Sequence, residues 1–324
     1  NQFQADLLWR SYVMGEQEQF SPAPGQEGLA DRVLNLIASK VCLNKDELHT
    51  FFGLTYLGFQ QQGKLAGLTA EVDKALDALT RAQLVTVQED GGLEASTLGE
   101  AAARKGIRAS TAVRLARFFE TARGRTIPEV ELFYLLSLTE EGKKTYLPLS
   151  STEHRGRVYE SKIGEYVHEQ GDEPGDELKR LLNARMLPTS QEARSAKLAL
   201  LLVGWTKGEE LPQLESRYQC YAGTIMAASD EVSWLVDAAA EIAEVMGWNP
   251  AEHLAELAEC VRYGVAPACL PLARAHLSGL SREDMRTLVE AGFDSPQALR
   301  DASAEALERY LSFSQIETLH SALA

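Results

Sequence analysis

One segment constrains this chain more than any other. Between Gly223 and Gly247, Val232, Leu235, Ala239, Ile242 and Met246 recur at steps of three and four. That spacing places them on one side of an α-helix and buries that side. The same periodicity runs through most of the 324 residues, so the fold class read from sequence is mainly α. One stretch breaks it. Leu84-Val85-Thr86-Val87 reads as a strand, Asp90-Gly91-Gly92 as a hairpin turn, and Leu93 to Thr97 as the return strand.

The chain divides into four stretches. Residues 1–27 read as a tail, with an apolar piece at Leu7, Leu8 and Trp9, then an extended linker through Gly15, Pro22, Pro24 and Gly25. Residues 28–99 combine three helices with the hairpin, the parts of a winged helix; Asn44 is placed to cap the helix from Lys45 to Phe52. Residues 100–265 read as a larger helical domain. Its helices are expected near 109–121, 128–138, 153–169, 176–185, 190–206, 210–218, 222–246 and 250–263. Residues 266–324 shorten into helices of about eight residues divided by Gly279, Gly292, Ser295-Pro296 and Ser303. That texture fits helix–hairpin–helix units.

Composition removes several classes of function. The formal net charge is −15 with a pI near 5.0, which excludes a uniformly basic nucleic-acid binder but not a locally basic groove. Cys42, Cys220, Cys260 and Cys269 form no C-x-x-C pair and read as free thiols in a reducing cytoplasm, or a nuclear compartment in a eukaryote. No apolar run is long enough to span a bilayer, and no signal peptide is visible. The chain opens on Asn1 instead of Met, so a fragment or processed product is expected. Gly58 to Lys64 has the G-x-x-x-x-G-K spacing of a phosphate loop. Leu65 follows where the magnesium-binding hydroxyl belongs, and a helix precedes it instead of a strand. None of the six histidines falls in a metal-binding motif, and Glu140-Glu141 reads as solvated surface. No catalytic or metal-ligating residue is assigned.

Three features are candidates for binding nucleic acid. From Ala101 to Arg125 there are seven cations and one acid; Arg104, Lys105, Arg108, Arg114 and Arg117 are the candidate phosphate contacts. The competing reading is a helix face whose charges pair elsewhere in the acidic fold. Trp234 lies about 100° from the buried stripe, beside Ala227, Glu231, Ala238 and Glu241. It is placed either to stack on a base or to pack against another domain. At 276–281, His-Leu-Ser-Gly-Leu-Ser places Ser281 where a DNA-binding Gly-hydrophobic-Gly hairpin has its second glycine.

These segments together resemble the C-terminal half of the HelQ-type superfamily 2 DNA helicases, a group that includes the archaeal Hjm proteins. The resemblance runs through Tyr12-Val13-Met14-Gly15-Glu16 with Glu18, Leu34 to Ser39, Thr55 to Gly58, Thr97-Leu98-Gly99 and Ile107 to Ala112. It continues through Leu200 to Trp205, Tyr221-Ala222-Gly223, Ser233-Trp234-Leu235, Arg262 to Val265 and the segment 270–292. It implies a tail leaving a motor domain, a winged helix, a helical "ratchet" bundle around single-stranded DNA and a helix–hairpin–helix domain. It further implies 3′→5′ movement driven by ATP, with ATP and magnesium on motor domains in cis or trans, single-stranded or forked DNA as partner, and a role in repair. This sequence departs from the family pattern at Ala227, where an arginine is expected two turns before Trp234, at Thr224, and at Ser281-Arg282, which stands where the family's hairpin has Gly-Arg and makes Arg282 a candidate DNA contact. It carries no Walker motif or D-E-x-H box. The expectation is a DNA-guiding accessory region; the alternative is a helicase-derived protein-interaction module with little DNA binding.

Overall fold

A computed structural model of the chain describes residues 2–15, 28–60, 65–171, 173–248 and 251–323. The linker prolines Pro22 and Pro24, and Gly63 and Lys64 of the phosphate-loop look-alike, lie outside them. The chain forms two compact units, Asn1–Ser96 and Thr97–Ala324.

The first unit opens with a helix where the sequence suggests a plain tail. Helix α1 (Gln2–Leu8) continues into a π-helical turn, Trp9–Val13. Phe3, Leu7, Leu8, Trp9, Tyr12 and Met14 on it are all exposed. Three helices then build a core: α2 (Leu29–Ala38), α3 (Lys45–Leu54) and, after a short α4 (Tyr56–Gln60), α5 (Leu65–Arg81). Val33, Leu34, Ile37, Leu48, Phe52, Val72 and Leu76 are buried between them. Asn44 caps α3 as expected, its Oδ1 accepting from Glu47 N at 3.0 Å. Strands β1 (Val85–Val87) and β2 (Leu93–Ala95) pair antiparallel, Thr86 opposite Glu94. The return strand is shorter than its sequence suggests, because Thr97 already begins a helix.

That helix, α6 (Thr97–Lys105), opens the second unit and was not legible in the periodicity. The bundle continues with α7 (Ala109–Thr121), α8 (Glu129–Ser137), α9 (Ser151–Arg155), α10 (Val158–Gln170), α11 (Asp176–Leu182), α12 (Ser190–Thr206), α13 (Leu211–Tyr218), α14 (Ala222–Val245) and α15 (Ala251–Tyr263). The helix expected over 153–169 is two helices, broken at Gly156 and at Arg157, whose φ is +52°. Helix α8 is buried all round, as its Val-Glu-Leu-Phe-Tyr-Leu-Leu run requires. Helix α14 packs on α15, and Ser233 Oγ donates to Ala258 O at 2.9 Å across that seam; Ala238, Ala239, Ala240 and Ala243 are among its buried small residues.

Ion pairs and hydrogen bonds satisfy three buried charges of the bundle, Lys197, Glu131 and Glu141. Lys197 has no exposed surface; its Nζ donates to Pro148 O at 2.7 Å and to Glu153 at 3.0 Å, above the Tyr159 ring. Glu131 is fully buried and receives Arg125 and Gly175 N. Glu141 is not the solvated surface residue its neighbour Glu140 is. It is buried, accepting from Arg108 N at 2.7 Å and from Thr111 Oγ1 at 2.6 Å.

Short helices α16 (Leu270–Arg274), α17 (Arg282–Glu290), α18 (Pro296–Asp301), α19 (Ala304–Leu307) and α20 (Phe313–Leu323) close the unit. They surround their own leucine core, including Leu277, Leu288, Leu299, Leu307 and Leu319. Ser281, Ser295 and Ser303 each cap the helix that follows.

Candidate nucleic-acid interface

Helix α14 carries two faces. The stripe Val232, Leu235, Ala239 and Ile242 is fully buried. Steps of three and four from Gly223 through Ala227, Asp230, Trp234, Asp237 and Glu241 trace an outer ridge. Gly223, Ala227 and Asp230 are exposed; Trp234, Asp237 and Glu241 are half-buried. Tyr221 and Met226 flank the start of this ridge and are also exposed. Helix α14 has five acids, Asp230, Glu231, Asp237, Glu241 and Glu244, three of them on this ridge, and no cation of its own.

Cations reach it from α6. That helix ends with two bonds, Ile107 N to Ala102 O at 3.1 Å and Gly106 N to Ala103 O at 3.2 Å, with Gly106 at φ +69°. This is a glycine-terminated Schellman ending, and it leaves the Lys105 carbonyl open. The Trp234 indole N–H donates to that carbonyl at 2.8 Å. One turn on, Lys105 Nζ donates to Asp237 at 2.6 Å and lies 3.3 Å from Glu241. Arg104 also pairs with Glu241 through Nε at 2.6 Å. Burial disfavours the Lys105 ammonium, but Asp237 and Glu241 outweigh it and raise its pKa. A cleft of about 840 Å³ opens beside these pairs, with Glu244, Glu252 and Trp248 in its wall.

The rest of the basic cluster is divided. Arg114 donates to Leu138 O at 3.1 Å and to Glu177 at 3.2 Å, so it holds α7 to its neighbours. Arg125 is taken by Glu131. Arg108 is half-buried near Glu140, and its backbone N–H is bound to Glu141. Arg117 is exposed, with no ion pair among the described residues. The cluster that is continuous in sequence is therefore not a continuous free cationic surface. Its charges meet acids distant in sequence, a pairing that periodicity does not reveal.

Ser281 and Arg282 lie far along the chain from Trp234 and serve inside the fold. Ser281 and Asp284 form a reciprocal cap: Asp284 N donates to Ser281 Oγ at 3.1 Å, and Ser281 N to Asp284 Oδ2 at 2.8 Å. Gln315 donates to the same carboxylate at 2.9 Å. The first turn of α17 thus already holds an anion, where a phosphate would otherwise sit. Arg282 lies 3.6 Å over the Trp205 ring and donates to Gly264 O at 2.5 Å, Trp205 O at 3.1 Å and Glu209 O at 3.3 Å. Burial draws its pKa down to about 10, so it stays charged at neutral pH. Trp205, Gly264 and Glu209 were not singled out in the sequence as its partners; only the Leu200–Trp205 and Arg262–Val265 matches hinted at them.

Comparison with known proteins gives this geometry a context. Residues 130–264 match the family model for archaeal helicase, domain 4. That span contains α8 through α15, with Trp234 inside it. The chain is 22% identical over 302 residues, 93% of its length, to the ATP-dependent DNA helicase Hel308 of Methanocella arvoryzae. It is 31% identical over 115 residues, 35% of its length, to the ATP-dependent DNA helicase Hel308 of Caldivirga maquilingensis. These matches support a C-terminal helicase-like region similar to that of the Hel308/HelQ-type helicases. The aligned part covers 39% of the Methanocella protein and 15% of the Caldivirga one. Among the described residues no helix is long and apolar enough to cross a membrane.

Proposed function

We propose that this Hel308-like region guides single-stranded DNA for an ATP-dependent 3′→5′ helicase, with ATP and magnesium bound on motor domains. The observation that carries the reading is Trp234. It sits half-buried in mid-ridge on α14, within the segment matched to helicase domain 4, and keeps an aromatic surface where a base can stack. In this reading Arg117 and Arg108 supply the backbone contacts, while the C-terminal hairpin segment contacts the strand as it emerges.

A second reading has its own support. Arg104, Lys105, Arg114 and Arg125 are already paired with acids, and an acidic ridge repels phosphate. Those facts favour a protein-docking module with Trp234, Tyr221 and Met226 as anchors.

Fluorescence anisotropy of a labelled single-stranded oligonucleotide against this chain, across a salt series, separates the two. Stacking on an aromatic is worth about 1–3 kcal/mol, so Trp234→Ala is expected to weaken binding about five- to hundredfold. Binding that is unchanged in Trp234→Ala, or absent from the unaltered chain at low salt, refutes the DNA reading for this region.

A further inference from the structure

The cations nearest Trp234 look in sequence like phosphate contacts, and their geometry gives them a different task. We propose that the C-terminal turn of α6 is a positioning device for the Trp234 ring, and that Lys105 is its key residue. This rests on the stacking role of Trp234 proposed above.

Four contacts fix the arrangement. The indole N–H is bound to the Lys105 carbonyl at 2.8 Å. The Lys105 ammonium reaches back to Asp237 and Glu241, one and two turns further along the same ridge. Arg104 adds a second grip on Glu241. The carbonyl and the ammonium of one residue thus bracket Trp234 from the same helix end. A Trp side chain turns about two torsions. Anchoring its N–H removes most of that freedom and presents the ring in one orientation. The carbonyl is available because the Gly106 ending satisfies its neighbours and leaves it open. Lys105 is mostly shielded from solvent, with 22% of its side chain exposed, and a phosphate reaching it would displace two carboxylates.

The test uses the full chain and two readouts. The first is hydrogen exchange of the Trp234 indole N–H in a 15N spectrum, assigned through Trp→Phe variants. The second is the salt dependence of single-strand binding. Lys105→Met keeps the aliphatic stem and removes the ammonium. The expected result is indole exchange at least tenfold faster and binding weaker by threefold or more, with an unchanged salt slope. Lys105→Arg is expected to restore both. Trp234→Phe keeps a ring but loses the anchor, and should also weaken binding.

Two results overturn the proposal. One is indole exchange unaffected by Lys105→Met. The other is a salt slope that falls by about 0.7, the signature of one lost phosphate contact on a single strand. If the indole loosens as expected while Trp234→Ala leaves DNA binding intact, the anchoring of the ring stands and the stacking reading falls. The two failures are therefore distinguishable. Should Lys105→Met fold poorly, Arg104→Met on the exposed side of the same turn gives the weaker form of the same pattern.

Discussion

Removing Arg282 tests how the C-terminal helices are held. In Arg282→Ala three backbone carbonyls, on Trp205, Glu209 and Gly264, lose a charged donor, and the Trp205 ring loses the cation stacked on it. Hydrogen bonds to charged groups are worth about 1.5–3 kcal/mol each, and a desolvated cation–π contact about 2 kcal/mol. These do not add, because one guanidinium makes them all and water partly re-solvates the carbonyls. A loss of about 2–3 kcal/mol is expected, the upper part of the range for leaving a buried polar group unsatisfied. Arg282→Lys keeps the charge but not the planar fork, and should recover less than half. Gly264 supplies an independent probe. Its φ is +65°, and a Cβ there would meet the Trp205 ring at 2.3 Å and Arg282 Nε at 2.6 Å. Gly264→Ala should therefore disturb the same contact with the arginine still present. Urea unfolding gives the stability change, and amide exchange over 266–324 shows where protection is lost. A loss below about 1 kcal/mol, or one with no change in exchange over 266–324, refutes the reasoning. If Arg282→Ala instead lowers the salt slope of DNA binding, the arginine reaches phosphate as its sequence position suggests.

Two further outcomes follow from buried charge. Burial works against the Glu153 carboxylate, but hydrogen bonds from Tyr159, Ser150 and Lys197 hold its pKa down to about 2, below the usual 4.5. Its stabilising share is therefore complete above about pH 4.5 and lost as pH falls towards 2. Urea midpoints measured over that window should drop for the unaltered chain and flatten in Glu153→Gln; parallel curves would contradict the assignment. Glu160 is buried with neither carboxylate oxygen hydrogen-bonded. Glu160→Met should raise the urea midpoint, by about 1–3 kcal/mol of stability, and a lowered midpoint would show that the carboxylate is needed where it sits.

Elements were legible in the sequence wherever local pattern decides them. The α7, α8, α12, α14 and α15 boundaries fall within about two residues of expectation, because caps and apolar spacing act over one or two turns. Asn44 and the Asp90-Gly91-Gly92 turn were readable for the same reason. Helix α6 escaped because its buried residues are Gly99, Ala101 and Ala102, too small to mark an apolar stripe. The break at Arg157 escaped because a left-handed arginine gives no compositional signal. The candidate site was legible by position and not by partner: Trp234 was located through its angle to the stripe. Its anchor on Lys105 spans 129 residues, and the Arg104–Glu241 pair spans 137.

That asymmetry bears on how a charge run is read. Seven cations in one stretch carry information about a ligand only if their acids are absent from the fold. In this chain the acids that take Arg104 and Lys105 lie on α14 at the ridge spacing of Trp234, so pairing and the proposed base stacking draw on the same face. A sequence with arginine at position 227 would place a free cation two turns before the ring, on the exposed half of α14. Here that position is Ala227, exposed and uncharged, beside Asp230. The cations that do come near the ring arrive from α6 and are spent on Asp237 and Glu241. Within the 101–125 cluster, phosphate-backbone attraction is then left to Arg108, Arg117 and Arg123, none of which has an ion pair among the described residues. In the proposed reading Trp234 contributes by stacking on a base, an interaction that an acidic ridge weakens much less than it weakens phosphate binding.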